Sequence, residues 1–345
     1  MKVSVVIPTY NDEGTIAAAV ESALAQKFEG GFEVIVVNDG STDGTRGILA
    51  KFGDRIRVID QKNSGLSAAR NAGIAAAAGE YIALLDGDDT WSEDKLQKTA
   101  PVLDKNPACV AVFSDVMQVD GAGKEYGNWV SPEFQHSPTL DEMLTRPWPN
   151  LPSATVIRRE TILAIGGFSE EFGRRGYGGE DTFASLLVRE RGEIRFVPDK
   201  LVRYRLSDFN ENLAKRIRSR GINQSGIDEI DEPERLIDGL LIFARLVRGH
   251  FGARGRKIAE WAIDKLANEL IAVGMMAMHE GNRGFARRCY RASLRYRPLT
   301  LKTYFRLGWA MLPAKVAQRL SPMLSPRLRR SLSGPPFHGL PQHPQ

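Results

Sequence analysis

The chain of 345 residues is 42% hydrophobic and 26% charged, an ordinary globular composition with room for one large α/β domain and a smaller second unit. It contains no run of about 18 apolar residues, so no transmembrane helix is predicted. Its first apolar run, Val3–Ile7, stops at Pro8 and reads as a strand rather than a signal peptide.

In chain order, short apolar runs alternate with helix-like segments. Val3–Ile7 is β-rich. Glu13–Gln26 carries Ile16, Ala19, Val20, Ala23 and Leu24 on one helical face. Residues 34–37 form a second buried strand ending at Asn38-Asp39-Gly40, and Asp43 is placed to cap a helix through Lys51. Ile56–Ile59 is a third strand, Ser67–Ala78 an Ala-rich helix and Tyr81–Leu85 a fourth strand. Ser92 opens a helix through Lys105, and a fifth strand begins at Ala111. This alternation predicts a mostly parallel sheet with helices on both faces, whose ligands sit beyond the carboxyl ends of the strands. Residues 118–150 read as an irregular excursion. Further elements are a strand at 155–157, a turn at Gly166-Gly167-Phe168, a helix at 181–191 and two short strands at 194–197 and 201–205. Helices follow near 233–250, 256–279, 283–297 and 299–312. The expected organisation is a catalytic domain over 1–210, a linker over 211–232, a helical region over 233–320 and a disordered Pro-rich tail over 321–345. The small and aromatic residues Ala286, Tyr290 and Ser293 resemble one half of a tetratricopeptide hairpin.

Cys109 and Cys289 lack metal-ligand spacing and read as reduced, buried thiols of a cytoplasmic protein. The net charge of +5 conceals an asymmetry. Residues 281–345 hold thirteen basic residues and no acidic one, leaving 34 basic against 42 acidic, a net of −8, in residues 1–280. A basic tail suggests an anionic partner.

Three clusters carry the chemistry. Asp86-Gly87-Asp88-Asp89 follows the fourth strand. Its carboxylates repel one another unless a cation sits among them, and hard oxygen ligands suit Mn2+ or Mg2+; the plainer reading is a solvated turn that caps the next helix. Asp39 ends the second strand, where doubly wound folds place an acid that binds ribose or base. Arg70 lies on the Ala-rich helix after the loop Asn63-Ser64-Gly65. It either contacts a nucleotide, pairs with Asp86 or Asp39, or is simply exposed. No GxGxxG or GxxxxGK[ST] motif occurs, so dinucleotide and P-loop chemistry are not indicated.

Val5-Val6-Ile7-Pro8-Thr9-Tyr10-Asn11, Val36-Val37-Asn38-Asp39-Gly40-Ser41-Thr42-Asp43, Gly65-Leu66-Ser67-Ala68-Ala69-Arg70-Asn71 and Leu85-Asp86-Gly87-Asp88-Asp89 resemble, in order and spacing, the motifs of family 2 glycosyltransferases. The resemblance covers about residues 1–210 and implies the GT-A fold of nucleotide-diphospho-sugar transferases. It also implies that Pro8, Thr9, Asn11, Asp39 and Arg70 surround a nucleotide, with Asp86 and Gly87 on the nucleotide side and Asp88 ligating the metal. Gly178-Gly179-Glu180-Asp181 matches the family's later Glu-Asp pair, which makes Asp181 the general base; one carboxylate must take the proton from an acceptor hydroxyl. The plainer reading is that both acids complement a helix dipole.

Two departures stand out. The family often has a His after a Tyr-Arg strand end, where this chain has Leu206, Ser207 and Asp208 after Tyr204-Arg205. The Gln-x-x-Arg-Trp motif of processive members is absent, which implies single-sugar transfer. The expected reaction is metal-dependent, inverting transfer from a nucleotide-sugar, with UDP favoured, to a glycan or lipid-linked acceptor in cell-surface polysaccharide synthesis.

One alternative is a sugar-phosphate nucleotidyltransferase, which is disfavoured because the loop Pro8–Glu13 is acidic and has no basic residue. Another is a non-catalytic membrane- or nucleic-acid-binding module, which leaves the Asp cluster unexplained. Nucleic acid is not favoured. Residues 283–330 are expected to face the anionic cytoplasmic surface of a membrane, against the plainer reading of helices packed on the catalytic domain with a solvated basic face.

Overall fold

The computed structural model describes residues 1–120, 124–128, 130–149, 151–173, 179–206, 233–279 and 281–320. The linker expected at 211–232 and the tail expected at 321–345 lie outside the described residues, as do Gly178, Ser207 and Asp208. The described residues divide into two compact units. The first holds 1–173, 179–206 and 250–258, and the second holds 233–249 and 259–320.

In the first unit, β1 (Val3–Thr9), β2 (Phe32–Asn38), β3 (Arg57–Asp60) and β4 (Tyr81–Leu84) are parallel, in the order β3-β2-β1-β4. Every residue of β1 is buried, as expected for a continuous apolar run covered on both faces. Helix α1 (Ile16–Leu24) buries Ile16, Ala19, Val20 and Ala23, the spacing of one helical face. Helix α2 spans Thr45–Ala50. Helix α3 (Leu66–Ala76) lies directly on β1 and β2, because Gly73 leaves room: a Cβ there would come within 2.4 Å of Val6 Cγ1.

After β5 (Thr90–Trp91) and α4 (Lys95–Lys105), the long strand β6 (Cys109–Val119) runs on into a hairpin with β7 (Glu125–Asn128). Helix α5 (Leu140–Thr145) precedes β8 (Thr155–Arg158) and α6 (Arg159–Ala164). Helix α7 (Glu180–Arg191) and β9 (Glu193–Arg205) complete the unit. The sheet continues β4-β8-β6-β9-β5. Parallel pairing holds through the first four strands and along β6–β9, whereas β8 runs antiparallel to both β4 and β6. That reversal brings the start of β8, and the turn Pro152–Ala154 before it, beside the carboxyl end of β4.

Three expectations change. The two short strands at 194–197 and 201–205 are one strand, β9. Its register against β6 shifts between Ser114 and Asp115, opposite Val197 and Lys200, so an irregularity absorbs Pro198, which has no N–H for the ladder. The described residues of the stretch 118–150 are more ordered than its composition suggests. Thr139 and Glu142 form a capping box that opens α5, and Val130, Met143, Leu144 and Trp148 are buried. Residues 250–258 group with the first unit rather than with the helical region.

The second unit is helical. Helix α8 spans Asp238–Phe251, α9 Arg256–His279, α10 Arg283–Tyr296, α11 Leu301–Met311 and α12 Ala314–Leu320. Asn282 caps α10, accepting from Phe285 N at 3.0 Å. Helices α9 and α10 meet closely where Gly274 faces the Tyr290 ring, a Cβ there falling 2.6 Å from the ring, and Ser293 Oγ donates to Ala267 O at 2.9 Å. Leu266, Leu270, Phe285, Cys289 and Tyr290 are fully buried. No helix among the described residues is long and apolar enough to cross a membrane.

Candidate active site

The carboxyl ends of β1 to β4 carry the polar segments singled out in the sequence, and hydrogen bonds join them into one edge. Asp39 N donates to Thr9 O at 2.9 Å, and Gln61 N donates to Asn38 O at 3.0 Å. Asn11 adopts φ 57°, a left-handed conformation that asparagine tolerates. There its Oδ1 accepts from Thr42 N (2.8 Å) and its N donates to Ser41 Oγ (3.0 Å), linking the loops after β1 and β2. Thr9 Oγ1 donates to the Asp12 carboxylate at 2.8 Å. Gly87 packs on this loop: a Cβ would stand 2.7 Å from Asp12 Oδ2 and 3.3 Å from Pro8 O. Asp43 accepts from Thr45 N at 3.0 Å and from Glu13 N at 3.2 Å, so it ties the first residue of α2, whose N-cap is Gly44 rather than Asp43, to the loop after β1.

Asp39 is buried, and its carboxylate accepts from Gln61 Nε2, Ser64 N and Gly65 N, each at 2.8 Å. Three of about four acceptor positions on this carboxylate thus organise the loop 61–65.

Arg70 is 2% exposed and turned into the site. Nη2 pairs with Asp86 at 2.8 Å, Nη1 reaches Glu180 at 3.4 Å, and the guanidinium lies 5.1 Å from the centroid of the Phe168 ring. Burial works against its charge, but Asp86 and Glu180 outweigh it and hold the group protonated. Asn71 steadies the Phe168 turn: its Oδ1 accepts from Phe168 N at 2.8 Å and its Nδ2 donates to Phe168 O at 2.9 Å.

The acidic cluster is a hydrogen-bonded turn. Asp89 N donates to Asp86 O at 3.1 Å. The Asp89 side chain is buried, accepting from Ser153 Oγ at 2.6 Å and Arg205 N at 3.0 Å. Burial, then the charges of Asp88 and Asp86, push its carboxyl well above the ordinary range. Ser153 also accepts from Asp86 N at 3.0 Å, and its carbonyl receives Trp91 Nε1 at 2.8 Å. Trp91 is therefore a core residue bracing the turn. Ser153 and Phe168 were not singled out as site residues, because nothing local to either announces which distant loop it meets.

Asp86 is held by Arg70 and Asp89 by Ser153, and Asp88 between them is half-buried. Among the described residues no three His, Cys, Asp or Glu side chains are grouped to hold a metal unaided. The donor set suits Mn2+ or Mg2+ bound through one or two carboxylates and completed by phosphate oxygens.

Helix α7 supplies the opposite wall. Gly179, with φ 106°, turns the chain into it. Glu180 is mostly buried; burial and the neighbouring Asp181 raise its carboxyl, partly offset by Arg70. Asp181 Oδ1 accepts from Thr182 N at 2.6 Å and lines a cavity of about 30 Å³ together with Phe113, Trp148 and Phe168. One phenol reports on both walls. Tyr204 is held in its protonated form first by burial, then by the fields of Asp89, Asp88, Asp86 and Asp181.

Residues 4–162 match the family model for "Glycosyl transferase family 2". Over that segment, a little under half of its length, the chain carries a family 2 glycosyltransferase domain. It is 46% identical over 151 residues to the putative teichuronic acid biosynthesis glycosyltransferase TuaG of Bacillus subtilis, covering 41% of this chain and 56% of that protein. It is also 46% identical over 123 residues to the succinoglycan biosynthesis protein ExoO of Rhizobium meliloti, covering 34% and 35%. This chain therefore spans about a third to a little over half of these curated relatives.

Among solved structures it resembles residues 1–349 of S. aureus TarS in complex with UDP-GlcNAc, with a TM-score of 0.52 and 19% identity over 89% of this chain and 92% of that one. It also resembles the mannosyltransferase PcManGT of Pyrobaculum calidifontis in complex with GDP-Man and Mn2+, with a TM-score of 0.51 and 18% identity over 90% and 88%. These likenesses establish the GT-A fold. The glycosyltransferase match takes in Pro8, Thr9, Asn11, Asp39, Arg70, Asp86, Gly87 and Asp88 and stops before Glu180 and Asp181, which geometry alone joins to the rest.

Proposed function

We propose that the protein transfers a single sugar from a nucleotide-sugar, UDP-sugar favoured, to a hydroxyl of a glycan or lipid-linked acceptor in polysaccharide synthesis. The observation that carries this reading is the buried Arg70, which joins the acidic turn at Asp86 to the start of α7 at Glu180. Two carboxylate-bearing walls, Asp88 on one and Asp181 on the other, thereby flank the carboxyl edge of the sheet. The relatives' names favour polysaccharide synthesis, and the UDP-GlcNAc complex of TarS favours uridine.

The loops after β1, β2 and β3 would hold the nucleoside, with Asn11 and Asp39 fixing their shape. Asp88, with the donor's phosphates, would hold Mn2+ or Mg2+, which when bound neutralises the departing diphosphate as a Lewis acid. Asp181 takes the proton of the acceptor hydroxyl. The hydroxyl oxygen bonds to the anomeric carbon from the face opposite the diphosphate, the bond from that carbon to the phosphate oxygen breaks, and the configuration inverts. Arg70 keeps Asp86 and Glu180 ionically tied, so the walls stay in register. The basic, acid-free segment at 283–320 favours work at an anionic membrane surface, where lipid-linked acceptors reside.

A screen of donor turnover over UDP-, GDP- and dTDP-sugars, with Mn2+ or with a chelator, tests the reading. UDP release that requires metal is expected, with an inverted anomer in the product by NMR. Metal-independent turnover, or retention of configuration, would overturn the corresponding step.

A further inference from the structure

Helix α11 of the second unit is built the wrong way round for a soluble surface. The face it buries is small and partly polar, represented by Thr303 and Ala310, seven residues apart. Its outward face carries Leu301, Tyr304, Phe305, Gly308 and Met311, the spacing of an apolar stripe. Leu301 is 81% exposed and Leu299, in the turn before it, 92%. Tyr304, Phe305 and Met311 are about half exposed, and Val316 and Leu320 of α12 are exposed too. A helix of this composition is normally buried or set into a membrane interface. Its place is not left to chance: Arg283 of α10 donates to Trp309 O (2.6 Å) and Leu312 O (2.8 Å), clamping its end with the stripe outward.

Charge identifies the occupant. Lys302, Lys315 and Arg319 are exposed around the stripe, and no acidic residue occurs from 281 to 345. A second copy of this face would set cations against cations. A surface that is apolar at depth and anionic at its rim satisfies both features, and long basic side chains beside aromatic and aliphatic ones suit such an interface.

We propose that α11, with Leu299 before it and α12 after it, inserts its apolar stripe into the interface of an anionic lipid bilayer, with Lys302, Lys315 and Arg319 meeting the headgroups. This rests on the reading of residues 283–320 as facing an anionic surface and assigns the contact to one helix face. It stands independently of sugar transfer.

Co-sedimentation of the full chain with phosphatidylcholine vesicles, with and without phosphatidylglycerol, tests it. Binding is expected with the anionic vesicles only and weakens as salt is raised. Leu301→Ser with Phe305→Ser is expected to reduce partitioning at least about tenfold. Lys302→Glu with Lys315→Glu is expected to reduce it by a similar factor. Both pairs lie on exposed positions, so circular dichroism and donor turnover in solution should stay at the parent level, which separates failure of docking from failure of the catalytic reading. Three outcomes overturn the proposal: no binding by the parent chain, equal binding by the serine pair, or a parent dimer in solution that the serine pair makes monomeric without any change in vesicle binding.

Discussion

Asp89 and Asp181, on opposite walls of the site, sit in contrasting surroundings. Asp89 is sealed under Ser153 and the Arg205 amide, so it shapes the turn and is not available to substrate. Asp181 opens onto a cavity at the start of α7. Asp181→Asn is nearly isosteric and keeps an acceptor for the Thr182 amide, so the fold should persist. Transfer is expected to fall by about 10²–10⁴-fold, the worth of a positioned base, with UDP affinity by calorimetry unchanged. Retained transfer would falsify the base assignment.

Lys95 makes a stability prediction. It is fully buried, its Nζ has no hydrogen-bond partner among the described residues, and it lies 5.1 Å from the centroid of the Trp91 ring. Burial lowers its pKa from 10.5 to about 7. Between these values the unfolded chain binds the proton and the folded chain does not, so this residue's destabilising contribution grows as pH falls through that window and levels off below it. Lys95→Met should raise stability in urea by about 3 kcal/mol near pH 7, and the gain should shrink as pH rises toward the unfolded value.

At the scale of elements, helix ends and strand direction decide most of what the site can do. β8 reverses direction, and through Pro152–Ala154 it delivers Ser153 to the acidic turn. Helix α11 depends in the same way on a distant cap. The last carbonyls of a helix lack internal partners, and Arg283 supplies them from α10. Burial and Arg287 depress the Arg283 pKa, yet the guanidinium still donates to both carbonyls. Arg283→Ala leaves these carbonyls unpaired and should destabilise the second unit by about 1–3 kcal/mol. Hydrogen exchange should localise the loss to residues 301–312, and vesicle binding should weaken with it.

For the whole molecule, ligand linkage gives the broadest check. A ligand that binds only the folded state stabilises it by mass action, about 2.7 kcal/mol at a hundred times its Kd, which is a shift of a few degrees for a domain of this size. UDP with Mn2+ is expected to raise the melting temperature by that amount, UDP with a chelator by much less. Asp88→Asn should remove the metal-dependent part while leaving the melting temperature without ligand near that of the parent. Equal protection in both variants would remove Asp88 from the metal site.

Read alone, the sequence determined the order of strands and helices through Lys105, apart from the two-residue β5, and the strand-end positions of Asp39 and Asp86–Asp89. These follow from periodicity and from side chains that announce their own strand ends, which are local properties. Even the capping box at Thr139 was written locally, hidden only by the polar composition around it. Only the tertiary structure decided which partner Arg70 takes, that Ser153 and Phe168 belong to the site, that Pro198 sits at an irregularity within one strand, and that the apolar stripe of α11 points outward. Each depends on residues from 26 to more than a hundred positions apart meeting, and strand reversal and helix packing set those meetings, while local pattern fixes only the elements that take part.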